Sequence, residues 1–298
     1  MEPLLQANGL LALLAAGFWG CGDFSGGMAV RKAGGPAPSV SAALRVILTS
    51  HAASLCVLAA IALVRGDRFP HGTALAWGLG SGVAGAFAVI AFYLALSRGA
   101  MGASAAVSGL LAAAIPACVA MAQQGHPGWR RGAGFLVAGI AIWLIAGGTR
   151  AARVETRSTI RLAILAGAGF GVYFVTLKFA AAGGLIWPMA TARIGSLTTV
   201  ALLLAILWLR PTTDTSQKVG MTPNAIRWAL STALFDTVGT LSFMAATRAG
   251  RLDVASVLAS LYPASTILLA AWILKEKPTR QQALGMVVAA AAVVMITL

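Results

Sequence analysis

Asp23, Arg45, His51, Lys178, Arg193 and Asp236 lie inside otherwise apolar stretches of this sequence. An ionisable group in hydrocarbon costs at least about 2.5–3.5 kcal/mol on insertion scales, so each needs a partner, a wet cavity or a task. Carboxylates at such depth can share a proton, bind a cation or pair with an arginine. Around them stand residues suited to a cavity wall: Trp19 among glycines, Tyr173 and Tyr262, with Pro116 and Pro263 as points where a helix frees a carbonyl or bends.

The elements that position these groups follow from composition. The chain has 298 residues, 59% of them hydrophobic and 10% charged, with a formal net charge of +14. A soluble globular protein carries roughly 25% charged residues, so a soluble reading is excluded. The 22 Lys and Arg are scattered between apolar stretches and form no single face, which argues against a nucleic-acid partner. Ten apolar runs, each near the roughly 20 residues a spanning helix needs, cover 8 to 30, 39 to 64, 74 to 97, 103 to 124, 132 to 149, 162 to 182, 186 to 209, 227 to 247, 254 to 274 and 281 to 298. Arg31 to Pro36, Arg98-Gly99, Arg150 to Arg161, Arg210 to Thr222 and Lys275 to Arg280 are among the breaks. Trp77, Trp129, Trp187, Trp208, Trp228 and Trp272 fall near proposed ends, where indoles favour the interface, while Trp19 and Trp143 do not. The expected partners are the lipid bilayer, a small-molecule substrate and protons. Cys21, Cys56 and Cys118 include no CxxC pair, so neither a disulfide framework nor a zinc site is expected, and no cofactor.

The chain also matches itself at an offset near 150 residues. Gly17 through Phe24 aligns with Gly167 through Phe174, Gly34-Gly35 with Gly183-Gly184, Arg45 with Arg193, Pro116 with Pro263 and Gly134 with Gly285. Each half holds an odd number of spans, so the second enters the membrane from the opposite side. The expected fold is an all-α polytopic membrane protein of ten transmembrane helices in two inverted five-helix repeats, residues 1–150 and 151–298. Inverted halves imply a pathway that opens alternately to either face. That makes a carrier, not an enzyme, the expectation.

Depth along each helix, at about 1.5 Å per residue, sorts the buried charges. Asp23 lies about 8 Å from the face that span 1 exits, and Arg45 about 9 Å below that face on the next helix, so an Asp23–Arg45 ion pair competes with a substrate or proton role for Asp23. Asp236 falls near the midplane with no cation at its depth, which marks it as the foremost coupling or substrate-binding residue; a protonated Asp236 bonded to Thr237 or Thr240 is the alternative. Lys178, close to its span end, is expected to snorkel, and Arg193 either to do likewise or to pair with the end of span 6. Gly22 and Gly26, Gly78 and Gly82, and Gly167 and Gly171 have spacings that let helices approach closely.

The five-plus-five arrangement, Phe18-Trp19-Gly20, the arginines opening spans 2 and 7 and the prolines of spans 4 and 9 resemble the EamA-type ten-helix family of the drug/metabolite transporter superfamily. The most specific part is Leu261-Tyr262-Pro263, then Lys275-Glu276-Lys277-Pro278-Thr279, Gln281 and Gly285, similar to the family's repeat ending; the first half departs from it, with Gly125 where a Glu stands. The resemblance implies a bacterial inner-membrane carrier, often an exporter of amino acids or similar metabolites, with a central cavity and both termini in the cytoplasm. The distribution of Lys and Arg opposes that orientation, being denser in the loops on the face away from the termini. The alternative function is an intramembrane aspartyl protease using Asp23 and Asp236, because Gly20-Cys21-Gly22-Asp23 spells G-x-G-D. In proteases with that motif its aspartate comes second in the chain, whereas here it comes first.

Overall fold

The computed structural model describes residues 2–33, 40–97, 101–147, 157–209, 221–275 and 277–297. The expected breaks at Gly34 to Pro36, Arg98-Gly99, the interhalf segment through Glu155, and Arg210 to Gly220, together with Glu276 of the repeat ending, lie wholly or partly outside them. All regular structure in the described residues is helical: α1 (Glu2–Arg31), α2 (Val40–Val64), α3 (Gly72–Ser97), α4 (Met101–Gln124), α5 (Trp129–Gly147), α6 (Arg157–Ala181), α7 (Ile186–Leu209), α8 (Pro223–Ala249), α9 (Leu252–Ala259), α10 (Tyr262–Ile273) and α11 (Arg280–Thr297). Among the described residues eight spans are long and apolar enough to cross a membrane, one of them formed by α9 and α10 together. With α1 and α5 these correspond in order to the expected segments, and the protein is a polytopic membrane protein.

Helix ends follow local chemistry. α2 stops where Gly66 takes a φ of +68° and the Asp67 N–H reaches back to the Ala62 carbonyl at 2.9 Å, a turn that satisfies the last carbonyls. α8 starts at Thr222, whose hydroxyl accepts the Ala225 N–H at 3.2 Å, with Pro223 at the first helical position. α11 opens on a reciprocal cap: Gln282 N–H donates to Thr279 Oγ1 at 3.2 Å while Thr279 N–H donates to Gln282 Oε1 at 2.9 Å.

One segment differs from expectation. Span 9, read as a single helix, is two, broken at Ser260 and Leu261. Pro263 sits in the first turn of α10, where its missing N–H costs nothing, whereas Pro116 is enclosed within the continuous α4. The two prolines, matched in sequence, therefore occupy different local structures. Gly20 of α1 lies against the break, where an added Cβ would come within 2.4 Å of Ser265 Cβ and 2.9 Å of the Tyr262 carbonyl.

Packing runs between the halves as much as within them. α1 lies on α8, α6 on α3, α2 on α7 and α5 on α11. Small residues allow it: a Cβ on Gly82 would stand 1.9 Å from the Ala192 carbonyl, and one on Gly195 2.2 Å from that of Leu79. The other expected pairs also sit at helix contacts, Gly22 and Gly26 against Asp236 and Thr232, Gly167 and Gly171 against Ser108 and Ile115. α9 is buried along its whole length.

Candidate functional site

Helices from both halves bring polar side chains to one place near mid-span. On α7, Arg193 and Ser196 are three residues apart; on α2, His51 and Ser54 have the same spacing, so each pair lies on one face of its helix. Arg193 Nη2 donates to Asp236 Oδ2 on α8. Its Nε donates to Ser54 Oγ at 3.2 Å, and its Nη1 approaches His51 Nε2 at 3.1 Å. His51 Nδ1 is 2.8 Å from Ser196 Oγ, and Ser54 Oγ is 2.6 Å from Thr237 Oγ1. The Arg193 side chain is 5% exposed and that of Asp236 29%, so the cation is enclosed while the carboxylate keeps an accessible side.

This corrects the expectation that Asp236 lacks a cationic partner and that Arg193 turns towards the end of its span. Depth counted to Cα atoms separated the two residues by more than their side chains do. The long arginine stem carries its guanidinium inward to the acid, where the desolvated charge finds both a counter-ion and hydrogen-bond acceptors.

Asp23 follows Trp19 by one helical turn on α1 and is exposed. It lies beside Asp236 on the neighbouring helix, where a Cβ added to Gly22 would sit 3.4 Å from Asp236 N. Asp23 takes no part in the ion pairs seen among the described residues, which are His51 with Asp236, Arg65 with Asp67, Arg193 with Asp236 and Arg251 with Asp253. Arg45 is half-buried on α2, with its carbonyl accepting from Thr49 Oγ1 at 2.9 Å.

Below the carboxylates lies an aromatic layer. Trp19 stacks on Phe174 with ring centres 5.2 Å apart and planes 1° from parallel, and both rings meet Phe243. The indole N–H donates to Thr240 Oγ1 at 3.2 Å, and Tyr173 also hydrogen-bonds with Thr240. Trp19 is thus a buried closing layer. Tyr173, half-buried, packs its ring on Gly85 and comes nearer the charged groups. Tyr262 is half-buried at the start of α10, with its carbonyl against Gly20 of α1.

A second polar cluster lies at the end of the bundle that carries the start of α1. Arg251 pairs with the fully buried Asp253 and donates to the carbonyls of Gln124 at 3.2 Å and Gly125 at 2.8 Å. Asn8 Nδ2 donates to the Ala246 carbonyl at 2.7 Å. Lys178 Nζ donates to Gln123 Oε1 at 3.3 Å on the same side. Reading the sequence for mid-span charges passed over this cluster because Arg251 and Asp253 fall in a connection, and it gave His51, Ser54 and Ser196 no role. The three-residue spacing of His51 with Ser54 and of Arg193 with Ser196 was the available signal.

Residues 157–298 match the EamA-like transporter family. The match covers α6 to α11, somewhat under half of the chain, and agrees with the resemblance read from the motifs. Among curated proteins none matches. A solved crystal structure, described only as that of a protein, is similar over 99% of this chain and 96% of its own, with a TM-score of 0.72 and 14% sequence identity. At that identity the likeness shows the shared fold alone.

Proposed function

We propose that this EamA-like chain is a secondary transporter of the bacterial inner membrane that exports a small polar metabolite such as an amino acid, cycling by alternating access between inverted halves at 1–150 and 151–298. The carrying observation is the mid-span cluster in which Arg193, Asp236 and Asp23 meet from helices of both halves. A zwitterion matches this charge pattern. Its carboxylate competes with Asp236 for Arg193, and its ammonium goes to Asp23 against the ring of Tyr173. Breaking one ion pair while forming two others makes the exchange affordable in a low-dielectric site. The cross-packing of α1 on α8 and α6 on α3 supports a rocking exchange of the halves, and both termini are taken as cytoplasmic. The cluster at the start of α1 would then close the cytoplasmic side.

Two properties count against the protease alternative. An aspartyl dyad needs two carboxylates free to share one proton, whereas the Asp236 carboxylate is bound to a guanidinium. In proteases with the G-x-G-D motif, moreover, its aspartate comes second in the chain, whereas Asp23 comes first.

The test is uptake of radiolabelled amino acids into proteoliposomes, with and without an imposed proton gradient. Wild type should transport at least one of them and Asp236→Asn should lose most of that flux. Equal flux in both, with equal dependence on the gradient, would remove Asp236 from the mechanism; no flux of any zwitterion would sink the substrate reading. A C-terminal reporter that signals only from the periplasm would overturn the orientation.

A further inference from the structure

The hydrogen bonds around His51 determine where its ring proton sits. Arg193 Nη1 carries hydrogens and no lone pair, so at 3.1 Å from His51 Nε2 it can only donate, and Nε2 must accept. The ring is then neutral with its proton on Nδ1, donated to Ser196 Oγ at 2.8 Å. Asp236 Oδ2 waits 3.9 Å from the same Nε2, just beyond hydrogen-bond length. Arg193 and a proton therefore compete for one lone pair.

The surroundings supply charge for that proton. From α7 His51 faces Arg193, from α8 Asp236, and from α1 Asp23 through its contact with Asp236. Tyr173 of α6 reaches the same cluster, α3 presents no titratable group among its described side chains, and Arg45 and Cys56 are the neighbours along α2 itself. Asp23 and Asp236 place two carboxyl groups beside the guanidinium of Arg193, so a proton taken up by His51 has acidic neighbours.

We propose that His51 is a proton-binding site coupled to Arg193: Nε2 takes a proton only when Arg193 leaves Asp236, and the imidazolium then replaces the guanidinium on that carboxylate. The proton comes from water reaching the accessible side of Asp236, the Nδ1–H bond to Ser196 is kept, and no other bond changes. A ligand carboxylate that draws Arg193 away would load His51, and a proton on His51 would release Arg193 for the ligand; by linkage the two effects are equal. This rests on the transporter reading only for the ligand, since the competition at Nε2 follows from geometry alone.

The chain has three histidines, which makes a direct test practical. Full-length protein labelled with 15N-histidine is reconstituted in lipid nanodiscs and followed by NMR, with His51→Gln assigning the signal. Wild type should show a protonated Nδ1 and a bare Nε2 at neutral pH. In Arg193→Gln a proton should appear on Nε2 at the same pH, and in Asp236→Asn, which leaves Arg193 as donor, Nε2 should stay bare. A wild-type ring protonated on Nε2, or an Arg193→Gln ring whose Nε2 stays bare over about pH 5 to 8, overturns the proposal. Should Arg193→Gln not fold, Arg193→Lys, which shortens the donor, must show the same gain on Nε2. In the vesicle assay His51→Gln should lose the stimulation of flux by a proton gradient, and stimulation equal to wild type refutes the coupling. Absence of flux in wild type would instead fail the transport reading, and the NMR result would still decide His51.

Discussion

Asp236→Asn removes the counter-charge of a guanidinium whose side chain is 5% exposed. Taking one partner from a buried ion pair costs about 3–5 kcal/mol, because the remaining charge stays desolvated. Two features of the site lower that figure. Asp236 is 29% exposed, so water already screens part of the attraction, and Arg193 keeps its bonds to Ser54 and His51. A loss of about 2–3 kcal/mol is what remains of the buried-pair cost. For a chain of this size, at about 2–4 °C per kcal/mol, the thermal midpoint should fall by about 5–10 °C. The assay is thermal unfolding of purified protein in detergent, followed by fluorescence. The double variant Arg193→Gln/Asp236→Asn, which has no stranded charge, should melt above Asp236→Asn alone. A midpoint for Asp236→Asn within about 2 °C of wild type, or strictly additive losses in the double variant, would refute the reasoning.

Gly82→Ala should abolish a monodisperse peak in size-exclusion chromatography, because its Cβ would stand 1.9 Å from a backbone oxygen that cannot swing aside; Gly80→Ala, with nothing within 4 Å, should elute as wild type. Trp19→Phe keeps an aromatic ring on Phe174 but loses the donor to Thr240, a cost of about 1 kcal/mol, whereas Trp19→Ala empties the layer and costs about 3–5 kcal/mol; equal melting of the two would contradict the stack. Arg251→Gln strands the fully buried Asp253 and unties α4 from the turn before α9, so it should lower the melting midpoint by about 3 kcal/mol equivalent and speed protease cleavage near Gln124.

Much of the fold is legible in the sequence because membrane spans obey a local rule: about 20 apolar residues bounded by charge or turn residues. The glycine pairs are legible for the same reason, since Gly78 with Gly82 and Gly167 with Gly171 mark one face of a helix wherever its partner comes from. The Thr279 to Gln282 cap is likewise a local signature. The break at Ser260 and Leu261 is less so, because Pro263 is compatible with both a kinked helix and a new start, and the approach of α1 at Gly20 belongs to tertiary packing.

The sequence by itself determined that the charges are few, that they lie within apolar spans, and which residue types could meet. The tertiary structure decided their partners. Arg193 reaches Asp236 from a helix that starts on the opposite face, His51 becomes the acceptor between them, and Asp23 is left beside the pair on its accessible side. A depth count along one helix fixes a Cα atom, whereas an ion pair depends on helix rotation and on where a long side chain ends. Rotation is set by the close contacts of α1 with α8 and of α2 with α7, and those exist only once the two halves have packed together.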